Sequence, residues 1–76
     1  MKYTTRTTAL MVVPEGETLF SEAATEVRIV DEAAGEYVEV FQTGRPDLGR
    51  IAINPEEWPE LRAAIDKMIS ECKETP

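Results

Sequence analysis

The stretch Arg50-Ile51-Ala52-Ile53-Asn54-Pro55-Glu56-Glu57-Trp58-Pro59-Glu60-Leu61-Arg62-Ala63-Ala64-Ile65-Asp66-Lys67-Met68-Ile69 constrains the fold more than any other part of the chain. Arg50 to Ile53 alternates like a short strand. Asn54 can accept a hydrogen bond from a free amide of the first helical turn, Pro55 suits the first helical position, and Glu57 completes a capping-box spacing. Ile53 and Trp58 stand at the hydrophobic-staple positions that fix the angle between strand and helix. Glu56, Glu57 and Glu60 complement the positive end of the helix dipole. Pro59 has no amide to donate back to Pro55, so a separate tight turn is expected before the regular helix. Beyond it, Leu61, Ile65, Met68, Ile69 and Cys72 recur at the three- and four-residue spacing of one buried stripe.

Upstream, residues 2 to 13 are rich in Thr and Val without a helical period, which predicts an N-terminal strand over 1–13. Pro14-Glu15-Gly16-Glu17 ends it with turn residues. Thr18 to Thr25 fits a loop or one helical turn, with Leu19 and Phe20 expected to tuck inward. Glu26 to Asp31 and Glu36 to Thr43 alternate, and between them Gly35 can supply the positive φ of a tight hairpin. Pro46 and the glycines of Gly44 to Gly49 mark the next connection. The expected fold is α+β: a four-stranded, mainly antiparallel sheet with one C-terminal helix packed on one face. Its parts are the strand at 1–13, a three-strand meander at 26–53 and a helix at 55–73.

A chain of 76 residues makes a single domain, 1–76. At that size folding removes only about 60% of the surface an unfolded chain exposes, so the stability margin is thin. One Cys and no His leave neither an internal disulfide nor a zinc site to reinforce it. Self-association is the remaining common remedy, and a homo-oligomer is expected. Fifteen acidic against eight basic residues give a net charge of −7, which repels polyanions and disfavours nucleic acid. No apolar run is long enough to span a membrane. Met1-Lys2-Tyr3-Thr4-Thr5-Arg6 leads into a Thr-rich stretch rather than a secretory core, and the lone Cys72 suits a reducing compartment. A cytoplasmic protein is expected.

Alternation sorts the strand side chains into two sides. Val27 and Ile29, Val38 and Val40, and Ile51 and Ile53 form an aliphatic side that matches the helix stripe. The other side carries Arg28, Val30, Tyr37, Glu39, Phe41, Arg50 and Ala52. One helix cannot cover both sides, so Arg28, Tyr37, Phe41 and Arg50 are the candidate ligand- or partner-binding residues. Such a face suits bases stacked on the rings with phosphates on the arginines, a protein partner recognised through Arg and aromatic anchors, or closure onto the N-terminal segment or a second subunit. Glu56, Glu57 and Glu60 form a secondary acidic patch.

Nothing in the sequence points to catalysis. There is no imidazole base, Ser21 and Ser70 lack a nucleophile-elbow context, and the carboxylate neighbours diverge in direction. No calcium-loop or phosphate-loop pattern occurs. A non-enzymatic protein without cofactor or metal is expected.

Gly49, Ile51, Ile53, Pro55, Glu56, Trp58, Leu61, Ala64, Ile65 and Asp66 together form a pattern that resembles the C-terminal domain of the positive-cofactor-four type transcriptional coactivators. The hairpin of Val27-Arg28-Ile29 with Tyr37-Val38-Glu39-Val40 follows in the same order, so the resemblance spans roughly residues 26 to 70. It implies a four-stranded sheet, one helix, a dimer through the helices and single-stranded DNA on the sheet. That family's binding face is Lys-rich, whereas the lysines here are Lys2, Lys67 and Lys73, none on the hairpin. Size, acidity and economy also look like a small accessory protein of a bacteriophage. That style implies a binder of a host component, a defence complex included, with sequestering of a nucleotide signal or of single-stranded nucleic acid as the alternative. A host protein or a small phosphate ligand are the corresponding partners.

Overall fold

A computed structural model describes residues 1–18 and 23–73 of the chain. Four strands form one antiparallel sheet in sequential order: β1 (Ala9–Val12), β2 (Thr25–Glu32), β3 (Gly35–Gln42) and β4 (Arg50–Ile53). A helix, α1 (Trp58–Glu71), follows β4 after a 3-10 turn at Pro55–Glu57. The N-terminal strand is shorter than its Thr-rich sequence predicts. Only Ala9–Val12 pairs with β2 as a strand, extended by an amide of Ile29 donating to the Thr8 carbonyl at 2.8 Å. The inward placement expected of Leu19 and Phe20 lies outside the described residues.

The β2–β3 hairpin is the longest pairing, running from Thr25↔Gln42 to Glu32↔Gly35. Ala33 and Ala34 turn the chain, and Gly35 takes φ +125° at the start of β3. Gly16 serves the earlier turn with φ +86°, where the Glu17 amide donates to the Pro14 carbonyl at 3.1 Å. Because β3 also pairs with β4 (Val38↔Ile53, Val40↔Ile51), the aliphatic residues of three strands stand opposite one another on one side.

The helix start forms as its residues dictate. The Glu56 amide donates to Asn54 Oδ1 at 3.0 Å, and the Asn54 amide donates to Glu57 Oε1 at 2.9 Å. Ile53 is buried at the junction. The separate first turn is present at Pro55–Glu57, and the α-helix begins at Trp58.

The helix begins on the aliphatic side, where Pro55, Trp58 and Ile65 border a cleft of about 530 Å³ floored by Val27, Val38, Val40, Ile51 and Ile53. Close packing of the whole stripe is not observed. Leu61 is half-buried, but Ile65, Met68 and Ile69 are exposed, the last two at 59% and 66%. Trp58, at the staple position, is 44% exposed. Ile65 reaches the cleft lined by Val27, Val38 and Val40, while Met68 and Ile69 beyond it are left open. Ala24 and Ile53 are the buried apolar residues among those described. The chain is accordingly extended: its radius of gyration is 15.3 Å, against about 11.4 Å for a compact domain of this length.

Gly35 carries a test of the hairpin. No atom lies within 4 Å of where a Cβ would sit, so the cost of a side chain there is torsional and not steric. Gly35→Ala is expected to lower stability by about 1–2 kcal/mol, read from the denaturant midpoint. An unchanged midpoint would show that the turn does not require the positive φ.

Candidate functional site

The side of the sheet opposite the aliphatic cleft is polar. Register fixes what meets there: Arg28 of β2 faces Glu39 of β3, Phe41 faces both Glu26 and Arg50, and Val30 faces Tyr37. Glu39 is the centre. Its Oε1 accepts from Arg28 Nε at 3.0 Å, Arg28 Nη2 at 2.6 Å and Arg50 Nη1 at 2.8 Å. A single carboxylate oxygen therefore ties together three strands. Glu26 stands 3.9 Å from the other side of the Arg28 guanidinium.

Phe41 completes the cluster. The guanidinium carbons of Arg28 and Arg50 lie 4.9 and 4.4 Å from its ring centroid, within cation–π range. The Tyr37 hydroxyl donates to Glu32 Oε1 at 3.3 Å at the hairpin end of the same face. Three of the four expected anchors, Arg28, Phe41 and Arg50, thus share one cluster, and Tyr37 stands beside it rather than in it.

The electrostatics follow from these contacts. The hydrogen bonds from Arg28, and then those from Arg50, hold the Glu39 carboxyl below the ordinary glutamate range despite partial burial that opposes ionisation. Burial, with Glu32 second, raises the Tyr37 phenol. Two cations therefore stand among Glu26, Glu32 and Glu39, and the face carries no positive excess. A phosphate would have to displace Glu39, and a stacked base would have to displace a guanidinium from Phe41.

Glu39 was open to sequence reasoning. It falls on the right side by alternation, and counting back from the Ala33-Ala34 turn sets it directly opposite Arg28. Beside the cluster, Gln42, Thr43, Pro46 and Gly49 join Phe41 and Arg50 around a hollow of about 320 Å³. The Thr43 hydroxyl oxygen is buried there without a hydrogen-bond partner among the described residues.

The acidic patch is divided in role. Glu57 closes the capping box through its carboxylate, while Glu56 and Glu60 are exposed. Among the described residues no group of His, Cys, Asp and Glu is placed to hold a metal ion, and no helix is long and apolar enough to cross a membrane. No family model, curated protein or solved structure matches this chain.

A carboxyl whose pKa is lowered by folding stabilises the fold above its unfolded pKa. That contribution disappears as pH falls through the lowered folded value. Wild type and Glu39→Gln should therefore differ in denaturant midpoint at neutral pH and converge as the solution is acidified below the ordinary glutamate range. A difference that stays constant with pH would contradict the shared Glu39 contact.

Proposed function

We propose that this chain is a non-enzymatic binding protein that engages a protein partner through the polar sheet face. Arg28, Phe41 and Arg50 are held rigid around Glu39, and Tyr37 extends the patch. The observation that carries this reading is the shared Glu39 oxygen, because it pairs with both guanidiniums and holds them against Phe41, while Glu26 beside Arg28 supplies the second negative charge. A preorganised, charge-balanced group of Arg and aromatic side chains is the chemistry of protein hot spots. It is poor chemistry for a polyanion, whose affinity comes from unpaired cations releasing counterions. The part of the reading that makes the partner a host protein, and the chain an accessory factor of the bacteriophage type, rests on size and acidity.

A small phosphate ligand is favoured by one observation, the hollow beside Arg50 with its unpartnered Thr43 hydroxyl. A nucleotide seated there would raise thermal stability in proportion to its binding.

Single-stranded oligonucleotides separate the readings. The wild type is expected to show no salt-dependent binding, while Glu39→Gln, which removes the charge that both guanidiniums share, should gain it. Tyr37→Ala with Arg50→Ala should weaken a captured protein partner by at least about tenfold, with the fold intact. Tight, steeply salt-dependent binding by the wild type would overturn the protein-partner reading. A nucleotide thermal shift abolished by Arg50→Ala would replace it with the phosphate reading.

A further inference from the structure

The aliphatic cleft and the segment before β1 have complementary chemistry. The cleft, of about 530 Å³, is lined without a single charged side chain. Pockets of about 300–1,000 Å³ take a whole small molecule, so this one has room for two side chains. At its rim, Glu56 and Glu60 are exposed next in sequence to Pro55 and Trp58, on a chain of net charge −7. The matching occupant is apolar where it enters and basic where it meets the rim.

The N-terminal segment has that composition. Residues 1–14 carry Lys2 and Arg6 and no acid. Met1 is fully exposed and Tyr3 is 90% exposed. Among the described residues, no side chain of residues 1–5 makes a hydrogen bond or ion pair. In an extended chain Met1 and Tyr3 fall on one side and Lys2 on the other.

The segment is also anchored beside the cleft. Arg6 Nη1 and Nη2 donate to Glu36 Oε2 and Oε1 at 2.6 and 2.7 Å. Glu36 alternates with Val38 and Val40 along β3, so this fork lies on the aliphatic side. Carrying the β1–β2 register back from Ala9↔Arg28 sets Arg6 opposite Asp31, which pairs with Glu36. A hollow of about 110 Å³ runs beside the segment from Thr7 to Leu10 and shares Val27 and Val38 with the cleft. Two strand spacings across and two residues along put Val38 about 12 Å from the Arg6 backbone. Five extended residues span about 17 Å.

We propose that residues 1–5 are a strap that closes over the cleft of their own chain. Tyr3 and Met1 enter between sheet and helix, Lys2 turns outward to the acidic rim, and the Arg6–Glu36 fork anchors the base. The structure shows the strap open. A short tether gives an effective concentration on the order of millimolar, so a contact too weak for a free peptide closes within one chain. The polar face takes no part, and a partner bound there leaves the strap as it is.

Trp58 is the one tryptophan of the sequence and lines the cleft, so its fluorescence reports closure. Quenching of Trp58 by acrylamide is expected to be slow in the wild type and equally slow across a dilution series. Tyr3→Ser, which removes the entering ring, and Arg6→Ala, which removes the anchor, should each speed it. Both replaced side chains lie outside the four strands, so the sheet stays folded. Nuclear Overhauser contacts between the Tyr3 ring and the Val38 or Val40 methyls should accompany the slow quenching and vanish in Tyr3→Ser. Quenching indifferent to either substitution, or no such ring–methyl contacts, would overturn the proposal. Protection of Trp58 that grows with protein concentration would also overturn it, since the cover would then come from another molecule.

Discussion

The register of the β2–β3 hairpin is the constraint on which the rest depends. A slip of one residue would exchange the two sides of the sheet, because side chains alternate with a period of two. With Glu32 opposite Gly35, Arg28 meets Glu39 on one side while Val27 meets Val40 on the other. The same register on β4 brings Arg50 to the Glu39 oxygen and Ile51 to Val40. Gly35, at φ +125°, sets the turn that fixes the count.

The two sides are consequently different kinds of surface. The polar side has its charges paired internally, with Glu39 85% covered despite lying between two guanidiniums. Side-chain entropy there is already lost before any partner arrives, which lowers the cost of binding. The aliphatic side is the reverse, since its hydrophobic surface remains open. A small domain with so little of itself buried has a thin stability margin, and anything that covered that side would add the hydrophobic contribution that the chain alone lacks.

Much of this was legible in the residues. Alternation separated Arg28, Tyr37, Phe41 and Arg50 from the valines and isoleucines, and Asn54, Pro55 and Glu57 announced the helix start. What periodicity could not convey is direction. A stripe of Leu61, Ile65, Met68 and Ile69 states which side of the helix is apolar but not how much of it meets a surface, and Met68 and Ile69 stay exposed. Trp58 shows the same limit: its staple position fixes an angle, while its burial depends on what else covers the cleft. Glu39 needed pairing as well as alternation, since its importance arises from a contact across three strands.

Hydroxyl-radical footprinting across a dilution series tests the division of labour between the two sides most directly, because it reads both at once. Expected is protection of Trp58 that is the same at every concentration and is lost in Tyr3→Ser, while Tyr37 and Phe41 are modified at a rate independent of both. Full-rate modification of Trp58 in the wild type, with Tyr37 and Phe41 protected instead as concentration rises, would contradict it and make the polar face the contact between copies.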